Sequence, residues 1–147
     1  MPWVKVWLHF VWSTKDRHPY LKEEIRNRVL DHMRMNAREK GIHVDFINGY
    51  VEHIHCLISL GTDQTIEKVM QLIKGESSFW INKNKLTKTR FGWQDEYFVA
   101  SVSESNLERV RKYIAKQEEH HRKVPFEQEF EDLLLRAGFQ RHKDVEG

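Results

Sequence analysis

Two histidines one residue apart, His53 and His55, interrupt an otherwise largely apolar run, Tyr50-Val51-Glu52-His53-Ile54-His55-Cys56-Leu57-Ile58-Ser59-Leu60. The run reads as a β-strand, whose side chains alternate faces with a period of two. His53 and His55 are therefore expected on one face, with Ile54, Cys56, Ile58 and Leu60 on the other, facing a core. Two imidazoles on one side of a rigid strand are well placed to share a divalent metal.

The flanking patterns predict the rest of the fold. Val4, Val6, Leu8, Phe10 and Trp12 alternate, giving a first strand with one wholly apolar face. Pro19 stands at the entrance of a helix that carries Leu21, Ile25, Val29, Met33 and Ala37 on one side and leaves at Gly41. A second strand, about 42–51, should pair with the histidine strand, about 53–60, in a hairpin around residues 49–52. The next helix buries Ile66, Val69, Met70, Ile73 and Trp80, and Gly75 weakens its middle by up to about 1 kcal/mol relative to alanine. A fourth strand is expected over about 96–103. Ser105-Asn106-Leu107-Glu108 reads as a capping box opening a third helix that runs to about residue 121. A short amphipathic helix, 126–136, precedes a charged tail. The order β-α-β-β-α-β followed by further helices is the ferredoxin-like (RRM-like) α+β pattern, a four-stranded antiparallel sheet with two helices on one face. The other face is expected to be free for function or a partner. One domain spanning 1–147, with an ordered core of about 3–139, accounts for the whole chain. By itself this fold specifies no activity.

Composition narrows the class. Hydrophobic residues at 39% and charged residues at 31% suit a soluble globular chain. The single cysteine, Cys56, cannot form an internal disulfide, and the N-terminus is not signal-like, so a cytoplasmic location is expected. The most apolar stretch, residues 3–12, is too short and too interrupted by Lys5 and His9 to span a bilayer. Net charge is only +2, but residues 1–90 hold 15 Lys/Arg against 10 Asp/Glu, and residues 91–147 hold 9 against 12. The run Lys83-Asn84-Lys85-Leu86-Thr87-Lys88-Thr89-Arg90 has four cations and no anion. It is a solvated helix end or, if other features point to nucleic acid, a phosphate-binding edge.

On the third helix, Tyr113 and Gln117 are four residues apart and share a side, next to a stripe of Leu107, Val110 and Ile114. Arg109, Arg111, Lys112 and Lys116 make its surroundings basic. Read alone, Tyr113 is a boundary aromatic with a wet hydroxyl, and Gln117 is a surface residue. Other polar residues have ordinary readings. His9, on the polar face of the first strand, either neighbours the histidine pair or, as its ordinary reading has it, is a structural or surface histidine. His120 and His121 follow Gln117 and could approach a metal or DNA, though complementing a helix C-terminus is a sufficient ordinary reason for them, and Glu52 belongs to a turn. Asp95 and Glu96 have no spacing that demands a metal, and Cys56 is a small core residue.

Together, His53-Ile54-His55 and Tyr113-Ile114-Ala115-Lys116-Gln117 resemble the single-tyrosine HUH transposases of the smallest bacterial and archaeal insertion sequences. The opening strand running into Ser13-Thr14-Lys15-Asp16-Arg17 and the stretch Glu118-Glu119-His120-His121-Arg122-Lys123 support the likeness, which extends over about residues 3–139. The resemblance implies a DNA transposase of the prokaryotic cytoplasm in which Tyr113 attacks single-stranded DNA, forming a 5′-phosphotyrosine and freeing a 3′-hydroxyl. It implies Mg²⁺ or Mn²⁺ on His53 and His55, with Gln117 as a neutral oxygen ligand. Such a metal would help because a phenol of pKa near 10 is mostly protonated at neutral pH. It further implies a homodimer in which the tyrosine helix can complete the other subunit's site, and recognition of hairpins at the element's ends. Lys15, Arg17, Lys83, Lys85, Lys88, Arg90, Arg111, Lys112 and Lys116 are then candidate DNA contacts, and Trp3, Trp7 and Trp12 are core rings or part of a dimer sheet. The rival readings are a noncatalytic or domesticated nucleic-acid-binding protein of the same fold, and another HUH nuclease such as a replication initiator or relaxase. No Lys/Arg-Gly-aromatic RNA-recognition signature is present.

Overall fold

A computed structural model describes residues 2–139. Four strands, β1 (Trp7–Thr14), β2 (His43–Gly49), β3 (His53–Ser59) and β4 (Trp93–Val102), form one antiparallel sheet in the order β2-β3-β1-β4. Helices α1 (Glu23–Glu39) and α2 (Ile66–Lys83) connect β1 to β2 and β3 to β4. This is the expected ferredoxin-like topology. Phe10, Trp12, Ile54, Cys56 and Ile58 form the main core with Val29, Met33, Val69, Met70 and Ile73 of the two helices.

Local chemistry sets the element ends. At the exit of α1, Gly41 takes φ +71°, a left-handed conformation that costs glycine least. The amides of Ile42 and Gly41 then reach back to the carbonyls of Ala37 (2.9 Å) and Arg38 (3.1 Å), satisfying the last turn. Thr65 caps α2 by accepting from the Lys68 amide at 3.1 Å. In the β2–β3 hairpin, Tyr50 N–H donates to the His53 carbonyl at 3.0 Å. A Cβ on Gly49 would overlap that same carbonyl oxygen, so the chain can approach this closely only without a side chain.

Several expectations need correction. β1 starts at Trp7 rather than Val4, and Val4 and Val6 are exposed outside the sheet. Of the three N-terminal tryptophans only Trp12 is a core ring; Trp7 is half-buried and Trp3 is 99% exposed. On α2 the buried positions after Ile73 are Ser77 and Ile81, while Trp80 is partly exposed and stacks on His32 with centroids 4.0 Å apart. The Ser105–Glu108 capping box does not form. Residues Glu104–Asn106 make a 3₁₀ turn, and the Ser105 hydroxyl pairs with that of Ser103 at 3.1 Å. The expected third helix is two, α3 (Leu107–Ala115) and α4 (Gln117–His121), broken where Lys116 leaves helical geometry at φ −98°, ψ 22°.

The largest correction concerns the second face of the sheet, which is covered. Leu107 and Ile114 of α3 pack on Leu57, and Phe126 and Phe130 of α5 (Phe126–Arg136) pack on Val11 and Phe98. The expected charged tail beyond residue 139 lies outside the described residues.

Candidate active site

β3 turns His53 and His55 away from the main core, onto the face covered by α3, α4 and α5, and both are fully buried. His9 projects from β1 onto the same face, its ring stacked on His55 with centroids 5.1 Å apart. Each imidazole that faces the centre of the cluster is oriented from behind. His53 Nδ1 lies 2.7 Å from Glu52 Oε1, and His121 Nδ1 lies 2.6 Å from the Val124 carbonyl. Both partners only accept, so these Nδ1 atoms carry protons and the Nε2 atoms face inward, open to a metal or, without one, to a proton shared with Glu129. His55 Nδ1 stands 2.9 Å from His9 Nε2. Burial, and then the proximity of His55, depress His9 to about 3. It is therefore neutral and can accept from His55. Burial likewise lowers His55 to about 4, against the opposing pull of Glu129.

The three Nε2 atoms converge on Glu129 Oε1, at 3.4 Å from His53, 3.1 Å from His55 and 2.9 Å from His121. Gln117 Oε1 is 2.9 Å from His53 Nε2. Nitrogen and oxygen ligands about 2.1 Å from one ion stand about 3.0 Å apart in an octahedron and about 3.4 Å apart in a tetrahedron. The separations to the Glu129 and Gln117 oxygens match that range, and the ligand atoms of His53, His55, His121 and Glu129 all lie within 4.8 Å of one another. Lone pairs facing one another at these distances repel unless a proton or a cation lies between them. The residues fit a metal. Burial works against a charged Glu129, but hydrogen bonds from His121 and His55 hold it far below the usual carboxylate range.

Tyr113 approaches from α3. Arg111 anchors that helix to β2 through a two-pronged pair with Asp45, Nε–Oδ2 2.7 Å and Nη2–Oδ1 3.1 Å. The Asn48 amide donates to the carbonyls of Ile114 (3.0 Å) and Ala115 (3.2 Å), where the helix ends. The Tyr113 ring lies 5.5 Å from that of His55, and its hydroxyl donates to Glu129 Oε2. Burial first, then the Glu129 charge and this hydrogen bond, push the phenol well above its ordinary value. After the break Gln117 is fully buried, with Nε2 donating to Glu129 Oε2 at 3.2 Å. A cleft of about 430 Å³ opens beside Tyr113, and Arg109, Lys112, Lys116 and Lys123 line it. Four cations against the one carboxylate of Glu119 in that lining suit an anionic ligand.

The sequence profile of the family described as "Transposase IS200 like" matches residues 3–117. The chain belongs to this family. It is therefore a DNA transposase, 28% identical over 114 residues to the ISDra2 transposase TnpA of Deinococcus radiodurans, an alignment covering 74% of this chain and 81% of the relative. Two solved structures share the fold. One, from Deinococcus radiodurans R1 and described as a transposase, superimposes with a TM-score of 0.65 at 24% identity, covering 79% of this chain and 93% of the other. The second is a REP-associated tyrosine transposase bound to a REP hairpin, with a TM-score of 0.63 at 15% identity, covering 84% and 73%.

In this IS200-like transposase the residues singled out from sequence, His53, His55, Tyr113 and Gln117, lie together within one chain. Tyr113 departs from its ordinary reading, since its hydroxyl is bonded rather than wet. Of the readings open for His9 and His121, the structure favours the one nearer the site: His9 touches His55, and His121 joins the cluster rather than only ending a helix. Glu52 is more than a turn residue, because it orients His53. Cys56 is the core residue expected, its thiol pushed up by burial. Asp95 and Glu96 are exposed, and no carboxylate of theirs joins the cluster. Of the candidate DNA contacts, Lys112 and Lys116 line the Tyr113 cleft, whereas Arg111 is committed to Asp45 and Glu108. Arg17 lies over Phe126 and Phe130 at 5.1 and 5.8 Å. Lys15 and Lys85 are exposed, Lys88 lines a cleft with His18 and Tyr20, and Lys83 and Arg90 line another with Phe79. Sequence reasoning missed Glu129 altogether. The available signal was its position among Phe126, Phe130 and Leu133, a carboxylate inside the apolar stripe of a helix.

Proposed function

We propose that this transposase cleaves and rejoins single-stranded DNA through Tyr113. The phenolic oxygen attacks a phosphodiester, forming a Tyr–O–P bond to the 5′-phosphate while the P–O3′ bond breaks. The phenol gives up its proton, and the departing 3′-oxygen takes one. A free 3′-hydroxyl then reverses the step on another phosphotyrosine, so no phosphoester is hydrolysed and no nucleotide is consumed. His53, His55 and Gln117 would hold a divalent metal, Mg²⁺ or Mn²⁺, which when bound acts as a Lewis acid on the phosphate. With imidazoles in the majority, Mn²⁺ is the better matched of the two. Glu52 and His9 keep the ligating nitrogens deprotonated and aimed inward, and Lys112 and Lys116 attract the strand to Tyr113. Residues 3–139 act as one unit on DNA with hairpin ends, in the cytoplasm of a prokaryotic cell. No described helix is long and apolar enough to cross a membrane. A homodimer would allow the tyrosine helix to serve either its own histidines or those of the other protomer.

The observation supporting this reading is the meeting of Tyr113 with His55, 58 positions away in the chain, at a ring separation of 5.5 Å. The test uses labelled single-stranded oligonucleotides copied from imperfect palindromes in the DNA flanking the gene, with Mn²⁺ or Mg²⁺. A denaturation-resistant protein–DNA adduct is expected, abolished by Tyr113→Phe with hairpin binding retained. An adduct unaffected by Tyr113→Phe removes the tyrosine from the reaction. Hairpin binding without any adduct identifies a noncatalytic DNA-binding protein instead.

A further inference from the structure

The cluster holds two groups, His121 and Glu129, that strand transfer as proposed does not use. Glu129 is 2% exposed and its two carboxylate oxygens do different things. Oε1 faces the Nε2 atoms of His53, His55 and His121 at 3.4, 3.1 and 2.9 Å. Oε2 receives the Tyr113 hydroxyl, with Gln117 Nε2 at 3.2 Å and His120 Nε2 at 3.5 Å. One oxygen thus addresses the metal-ligating nitrogens while the other addresses the nucleophile. A scissile phosphate must do the same, with a non-bridging oxygen on the ligand side and its phosphorus within reach of the tyrosine. Both anions cannot occupy that place at once.

We propose that His121 and Glu129 join His53, His55 and Gln117 in the metal centre, and that the Glu129 carboxylate holds the place of the scissile phosphate until DNA displaces it. This rests on the reading of Tyr113 as the nucleophile. His121 and Glu129 both lie beyond the segment 3–117 that the family profile covers. The cover that carries Glu129 is held by a few aromatic contacts, among them Phe126 stacked on His53 at 4.1 Å, and by the polar contacts of Glu129 itself. α5 is seated by Phe126 and Phe130 against Val11 and Phe98, follows the non-helical stretch ending at Pro125, and exposes Leu135 and Phe139 at its far end. The cationic cleft beside Tyr113 opens on the Oε2 side, where an incoming phosphate would compete for the same partners.

The experiment titrates Mn²⁺ alone into the metal-free full chain by calorimetry and follows hydrogen exchange of the α5 amides in the Tyr113→Phe protein with Mn²⁺, with and without a single-stranded hairpin oligonucleotide. Glu129→Gln and His121→Ala should each weaken Mn²⁺ binding roughly tenfold or more. In the Tyr113→Phe background, Glu129→Gln should bind the oligonucleotide several-fold more tightly, because the internal competitor is gone. Adding DNA should speed exchange across α5. Unchanged Mn²⁺ affinity in both variants overturns the ligand assignment. Unchanged α5 protection on saturation with DNA, or an adduct yield that falls in Glu129→Gln at saturating Mn²⁺, overturns the place-holding role. Glu129→Asp, which keeps the charge but shortens its reach, controls for misfolding: Mn²⁺ affinity between those of wild type and Glu129→Gln is expected, and affinity no better than that of Glu129→Gln overturns direct ligation. Failure of the nucleophile reading has a separate signature, the absence of any adduct in wild type while the Mn²⁺ titrations still report the ligand set.

Discussion

Acid should unfold the metal-free protein by charging histidines that the fold keeps neutral. His9 and His55 are held at about 3 and about 4, chiefly by burial, against 6.5 in an unfolded chain. With the folded-state values depressed, the unfolded chain binds protons first. The stability these groups contribute is complete above pH 6.5 and is lost as pH falls toward 4 and then 3. Linkage gives about 2 kcal/mol lost per histidine between pH 7.5 and pH 5, or about 4 kcal/mol together. That is a large part of the 5–15 kcal/mol typical of a domain. His121 runs the other way: its hydrogen bonds to Glu129 outweigh burial and raise its value, so its contribution is present at low pH and fades as pH rises. The 4 kcal/mol is therefore a ceiling. Glu129, held below its ordinary 4.5, contributes above that value and is lost only under more acid conditions than the window uses. Urea unfolding in chelator at pH 7.5, 6.0 and 5.0 measures the loss, and His9→Phe should roughly halve it. A fall smaller than about 1 kcal/mol across the window, or an equal fall in His9→Phe, would refute the reasoning.

Three further outcomes follow from the same contacts. His9→Phe should weaken Mn²⁺ binding by roughly 10–100-fold in calorimetry, and His9→Gln, which restores an acceptor for His55 Nδ1, should recover most of it. Gly49→Ala should cost about 1–3 kcal/mol in denaturant unfolding, because the new Cβ meets the rigid His53 carbonyl, and should lower metal affinity by shifting His53. Mixing Tyr113→Phe protein with a His53→Ala/His55→Ala variant distinguishes the two assemblies of the site. Adduct formation in the mixture requires a tyrosine serving the other protomer, whereas none is expected if Tyr113 serves its own histidines.

Much of this arrangement was legible because it depends on periodicity. Alternation alone assigned His53 and His55 to one face and Ile54, Cys56 and Ile58 to the other, and the order of elements implied the sheet. Tyr113 and Gln117 were found through family resemblance, since neither side chain is unusual on a basic helix. The covering of the second face was not legible. His9, His53 and His55 made that face look polar, and a polar strand face reads as solvated. Periodicity records how apolar each residue is, not whether polar groups satisfy one another once buried. The break at Lys116 was equally hidden, because it depends on Asn48 capturing the carbonyls of Ile114 and Ala115 from another strand.

That mutual satisfaction ties α5 to the site energetically. Glu52, His53, Gln117, Glu129, His121, His55 and His9 form one continuous network, buried at all but Glu52 and His121, in which each member supplies another's partner. Removing one member of such a network leaves a desolvated donor or acceptor, which costs about 1–3 kcal/mol and more when the group is charged. Lifting α5 would uncover all of its inner atoms together. It is therefore unfavourable until something else supplies equivalent partners. A phosphate can do so, because it brings anionic oxygens for both the ligand nitrogens and the Gln117 amide. A neutral or wrongly placed ligand cannot. The same polar burial that hid this face from sequence patterning thus makes opening of the site conditional on the arrival of an anion.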